Sequence, residues 1–136
     1  MQTFPVSSLR QKAERVAVIV ALGAGDRFKL VHDTFHHTFA GGGGFFPEHT
    51  GIVHILAVVD PSLPLADPID SHDRLGNVEQ IAALLAAGYD GMFSYACFAP
   101  ETQAMADPYR EIKASFDFVA SQLQARAARW PMAAAP

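Results

Sequence analysis

The sequence predicts an α/β protein built on a parallel sheet. Its candidate strands, Ile52–Val59 and Met92–Phe98, are apolar along their length, as strands covered on both faces are. Segments with helical spacing alternate with them, and alternating strands and helices give a parallel sheet. Glycines stand where those helices should stop, at Gly23, Gly25 and Gly88.

Ser8 followed by Gln11 reads as a capping box. A helix then runs to Leu22, with Leu9, Ala13, Val16, Ile19 and Val20 on its apolar face. The first strand covers about Arg27–Asp33, with Phe28, Leu30 and Val31 apolar on both faces. A loop from Thr38 to Thr50 follows, and His36–Ala40 has room for a single helical turn. The loop contains four consecutive glycines, Gly41–Gly44. No Gly-Lys-Ser/Thr follows, so it reads as a surface lid or slack connector rather than a phosphate cradle. After the second strand, Asp60-Pro61 makes the turn, and Pro61–Arg74 is a loop rich in proline and aspartate. Asn77 with Gln80 starts a second helix over Val78–Ala87. Asp107-Pro108 starts the last helix, with proline at its first position. Ile112, Phe116, Val119 and Leu123 recur down to about Arg126 as a core stripe. The order is helix, strand, loop, strand, loop, helix, strand, helix.

A chain of 136 residues, half of them apolar, makes one domain of ordinary size with a core of its own. A net charge of −4 gives neither a nucleic-acid footprint nor the signature of disorder. One cysteine, Cys97, excludes an internal disulfide and fits a reducing cytosol. There is no signal-peptide run at the start and no apolar stretch near the ~20 residues that span a bilayer. The expectation is a cytoplasmic protein without membrane or nucleic-acid partners.

The chemistry-bearing residues gather at strand ends. Asp33 sits where the first strand should finish, which is where α/β folds place their sites. His36 follows three residues later. It shares a ligand with Asp33 only if the chain has left the strand by then. The alternative is a polar turn with scattered histidines. His54 interrupts the otherwise apolar second strand. Such a histidine is usually a hydrogen-bonded core residue. Beside Asp33 it also suits a divalent ion, since imidazole and carboxylate bind the same metals.

Taken in order, Asp33-Thr-Phe-His36, Val53-His54-Ile55 with Asp60, Asp73-Arg-Leu-Gly76-Asn77 and Gly88-Tyr89-Asp90-Gly91 resemble the sugar phosphate isomerase/epimerase family. These are xylose isomerase-like TIM barrels, with inosose dehydratase and hydroxypyruvate isomerase among their relatives. The resemblance runs from about Phe4 to Leu123. It implies the carboxyl-terminal half of a β/α barrel over residues 1–128, with a loose tail at 129–136 and open sheet edges through which copies of the chain associate as a homo-oligomer. It further implies one divalent metal (Mn, Co, Mg or Zn), with Asp33 and His54 as ligands and His36 as a neighbouring catalytic histidine.

Two departures stand against this. The family's first glutamate ligand belongs on a strand this chain lacks. Its last glutamate falls at Ala96, within Phe93-Ser94-Tyr95-Ala96-Cys97-Phe98. Asp67–Arg74 is also short, so the family's seventh strand should be rudimentary or missing. The implied function is therefore metal-dependent isomerisation of a small sugar or polyol, impaired by the loss of both glutamates. The alternatives are a non-catalytic half-barrel remnant and an oligomerising or small-ligand-binding module.

Overall fold

The computed structural model describes residues 8–58 and 67–129. The expected Asp60-Pro61 turn and the tail from residue 130 lie outside these residues. The elements run α1 (Lys12–Ala21), β1 (Leu30–Asp33), α2 (Thr34–Phe39), a 3₁₀ turn (Pro47–His49), β2 (Thr50–Ile55), α3 (Asn77–Ala86), β3 (Met92–Tyr95), α4 (Pro100–Gln103) and α5 (Pro108–Arg129). The three strands form one parallel sheet in the order β1-β2-β3. This is the α/β class that the apolar strands predict.

The sheet has two unlike faces. Val53, Ile55 and Ala57 point towards the helices and pack with Ile81 and Leu84 of α3 and Val119 of α5. On the opposite face lie Ile52, His54, Leu56 and Val58. Leu56 and Val58 join Leu75 and Ala96 in a second apolar cluster, with Phe35 against it. Burial on this second face is incomplete: Ile52 and His54 are half-buried and Met92 is 66% exposed. Among the described residues, cover on both faces thus holds at Leu56 and Val58 but not at Ile52, His54 and Met92. Alternation along a strand can assign residues to two faces, but it does not say whether anything covers each face.

Several local expectations change. Phe28 is 55% exposed and precedes β1, which is shorter than Arg27–Asp33. The capping interaction of α1 joins Gln11 to Glu14 rather than Ser8 to Gln11. The Gln11 N–H donates to Glu14 Oε2 at 2.9 Å, a charge-assisted bond that a glutamine acceptor could not match. The buried face of α1 is Lys12, Arg15 and Ile19, while Val20 is 61% exposed. The helix is rotated to bring Lys12 against polar partners behind β1. The turn expected near His36 is a helix, α2, beginning directly at the strand end. Asp67–Arg74 supplies no strand, only an antiparallel backbone pair between Asp67 and Ala57 (2.8 and 3.0 Å).

The other helix boundaries follow from chemistry legible in the chain. Asp107 Oδ1 accepts from the Arg110 N–H at 3.0 Å, which caps α5, and that helix continues to Arg129. Gly88 adopts φ +90° after α3, and Tyr89 N–H returns to Leu84 O at 3.0 Å. At the start of α3, Asp73 accepts from Leu75 N (3.1 Å), Asn77 N (2.9 Å) and Asn77 Nδ2 (2.9 Å). The same Asn77 amide donates to Leu56 O at 2.7 Å and ties the helix start to the sheet. Replacing Asp73 removes three acceptor contacts at once. Asp73→Ala should lower stability by about 1–2 kcal/mol, the range for a lost helix cap, measured as a shift in urea midpoint.

Candidate functional site

Asp33 and His54 face each other across the β1–β2 ladder. The strands are parallel, and the register pairs Asp33 with His54, with an irregularity at Leu30/Val31. Equivalent pleat positions place both side chains on one face, opposite the helices. His54 Nδ1 lies 3.9 Å from Asp33 Oδ2. The carboxylate is nearly buried, and the His54 side chain is 32% exposed, so the pair is open on the imidazole side. On the other flank His54 pairs with Ser94 of β3.

Asp33 has a second task. It is the N-cap of α2, and its Oδ1 accepts from the His36 N–H at 3.0 Å. This explains how the chain leaves the strand within one residue of Asp33. His36 is thereby joined to Asp33 through its backbone amide. Its ring meets Phe35 edge-on, with centroids 5.1 Å apart.

The position that the family resemblance gives to a glutamate, Ala96, follows β3 on the same face. Its N–H donates to Ile55 O at 3.0 Å. Its side chain packs with Leu56, Val58 and Leu75. An apolar cluster therefore surrounds the Ala96 side chain. Burial and the nearby Asp67 charge push the neighbouring Cys97 thiol up to about 11. Among the described residues no three His, Cys, Asp or Glu side chains are grouped to hold a metal ion. Asp33 and His54 are donors of the right kind and fall short in number.

A second polar centre, missed in the sequence, lies on the helix side of β1. Lys12 Nζ is 2.5 Å from His32 Nδ1 and 2.8 Å from His37 Nδ1. His32 Nε2 meets Gln80 Oε1 at 3.0 Å. The Gln80 amide nitrogen is committed to the Leu75 carbonyl (2.9 Å) and Thr38 Oγ1 (3.0 Å). This fixes the amide orientation. His32 therefore carries its proton on Nε2 and accepts from Lys12 on Nδ1. Phe45 stacks on His32, at 5.4 Å between centroids. One signal in the chain could have revealed the centre. Lys12 lies at helical spacing from Arg15 and Ile19, on the face that turned inward.

Burial pushes Lys12 down to about 7, with Asp33 opposing the shift. Burial and the Lys12 charge push His32 to about 3 and His37 to about 4. These shifts have a sign. An unfolded imidazole binds its proton near 6.5, so between that value and the folded ones the unfolded chain holds more protons. Stability from the two histidines is complete above about pH 6.5 and is lost as pH falls towards 4. Unfolded Lys12 keeps its proton to about 10.5 and folded Lys12 releases it near 7, so its penalty lifts as pH rises between those values. Urea midpoints should rise steadily from pH 4.5 to pH 9, and Lys12→Met should flatten the alkaline part of that rise.

No protein-family model and no curated protein matches the sequence. Among solved structures, the chain is similar to a xylose isomerase domain containing protein from Salmonella typhimurium, with a TM-score of 0.73 and 26% sequence identity. The match covers 90% of this chain and 49% of that one, so the chain spans about half the length of this neighbour. In fold, the three parallel strands and their helices correspond to half of a xylose isomerase-like β/α barrel.

Proposed function

We propose that this chain is the carboxyl-terminal half of a sugar phosphate isomerase/epimerase-like barrel, with Asp33 and His54 as two ligands of a divalent-metal site. One observation carries the reading: an aspartate and an imidazole converge to 3.9 Å at the carboxyl ends of adjacent parallel strands. That rim is where such folds assemble their chemistry. The neighbour's description as a xylose isomerase domain containing protein supports a small sugar or polyol as the ligand class.

A bound divalent ion would polarise the carbonyl and hydroxyl oxygens of such a ligand. The chain's own residues set the limits. Asp33 supplies a carboxylate whose orientation is fixed by its bond to the His36 amide. His54 supplies an imidazole reachable from solvent. His36, at the first turn of α2, is the candidate catalytic group beside them. Ala96, packed with Leu56, Val58 and Leu75, brings no carboxylate that could move a proton between carbons. On this reading the chain by itself binds metal weakly, and its isomerisation of a sugar is impaired.

The test is equilibrium dialysis against Mn²⁺, Co²⁺ and Zn²⁺ followed by metal analysis. Binding should be lost in Asp33→Ala and in His54→Ala. Ala96→Glu should destabilise the metal-free protein, because it buries a carboxylate among Leu56, Val58 and Leu75. It should also tighten metal binding about tenfold or more, equivalent to roughly 1.4 kcal/mol. Unchanged affinity in Ala96→Glu would overturn the placement of the last ligand. Wild-type binding in Asp33→Ala would overturn the site itself.

A further inference from the structure

One ring nitrogen in the Lys12 cluster is left over. Lys12 Nζ approaches Nδ1 of both His32 and His37. A neutral ring that accepts on Nδ1 carries its proton on Nε2. His32 donates that proton to Gln80 Oε1. His37 has no such acceptor among the described residues, although it is only 6% exposed. Its Nε2 is aimed at Gly42, where an added Cβ would lie 4.0 Å away. The absence of a side chain at Gly42 therefore keeps space in front of the N–H. Phe45 closes one flank, its ring centroid 5.0 Å from that of His37.

The loop in front of this N–H is Gly41–Gly44. Gly41, Gly42 and Gly43 hold φ of +86°, +79° and +109°, a run that glycine alone adopts readily. The Gly41 and Gly42 N–H groups return to Thr38 O and His37 O. Those of Gly43 and Gly44 donate to no acceptor among the described residues, and both glycines are exposed. We propose that His37 Nε2 and the Gly43 and Gly44 amides hold a small dianionic oxyanion, such as sulfate or phosphate, in front of the Lys12 ammonium. Donors spread over a ring and a turning glycine segment suit a tetrahedral ion, as backbone nests do. A planar carboxylate would call for a fork of parallel donors instead. Lys12, 2.8 Å behind the His37 ring at Nδ1, supplies the positive charge. The lysine that the loop's own sequence lacks thus comes from α1. Around Lys12 the charged and titratable groups are His32 and Asp33 of β1 and His37 of α2, with Arg15 on the same buried face of α1. Gln80 of α3 is neutral. Glu14, in the first turn of α1, is held by the Gln11 N–H. Lys12 keeps its proton below about 7, so the ion binds best on the acid side of that value. The site lies on the helix side of the sheet, and it does not depend on reading Asp33 and His54 as metal ligands.

The probe is sodium sulfate, which stays doubly charged from pH 6 to pH 9, added to the full chain at constant ionic strength. In ¹⁵N-labelled wild type at pH 6, the His37 Nε2 resonance and the Gly43 and Gly44 amides should shift together and saturate, with a Kd of about 1 mM or lower. Calorimetry should find sulfate bound about tenfold more weakly at pH 9, where Lys12 has lost its charge. Lys12→Met should bind weakly at both pH values. Methyl phosphate then separates two sources of the ion. Binding as tight as inorganic phosphate marks a group carried on a larger molecule, and its failure beside bound phosphate marks the free ion; either result agrees with the site. Sulfate shifts confined to exposed lysines and arginines, with His37 and the two glycines unmoved, would overturn the site from the wild-type protein alone. Equal affinity at pH 6 and pH 9, or wild-type binding in Lys12→Met, would overturn it as well. None of these outcomes bears on metal binding by Asp33 and His54, which is read by dialysis.

Discussion

The parallel pairing of β1 with β2 is the constraint on which the rest of the molecule depends. It aligns Asp33 with His54 and, one residue earlier, His32 with Val53. Strand side chains alternate between faces, so these neighbours in sequence serve opposite sides of the sheet. Asp33 enters the candidate site, and His32 enters the helix-side cluster. A slip of one residue would exchange them, leaving a carboxylate against the apolar core and an imidazole against the open face. The register is thus set by polar groups on both faces at once.

The Lys12 cluster gives that register its specificity. A buried lysine is costly unless its ammonium is hydrogen-bonded. Here the bonds come from β1 through His32 and from α2 through His37, with Gln80 of α3 behind them. Gln80 in turn reaches Thr34 O, Thr38 and Leu75. Four segments of chain are fastened by one network, and each member is satisfied only in one arrangement. Such a network contributes less to net stability than apolar packing of equal volume, but it penalises every wrong pairing. It also leaves the molecule sensitive to acid, because both imidazoles must remain neutral for Lys12 to stay bonded.

The opposite face carries a polar pair beside an apolar cluster. The strand ends deliver an aspartate and a histidine to one point. Beside them, Ala96, Leu56, Val58 and Leu75 form an apolar cluster. Apolar burial there is favourable by about 25 cal/mol per Å² of surface removed from water. A charged group in the same place would be stable only with a cation to pair with it. The alanine at this position therefore stabilises the fold of the chain.

The sequence by itself determined the α/β class, the three strands, the glycine and aspartate signals at the helix ends and the identity of the two residues that meet across β1 and β2. These are local properties, written in apolar runs and capping chemistry within a few residues of each other. It misread the buried face of α1, because periodicity favoured Val20 whereas Lys12 turned inward to reach partners 20 and 25 residues away. It placed Phe28 in a strand and treated the sheet as covered on both sides along its whole length, whereas Ile52 and His54 are half-buried. Only the tertiary structure decided those points, since the phase of a helix and the cover over a sheet depend on which distant segments arrive. The 3.9 Å approach of Asp33 to His54 is of the same kind: both residues could be named in advance, but only the register of the folded strands could bring them together.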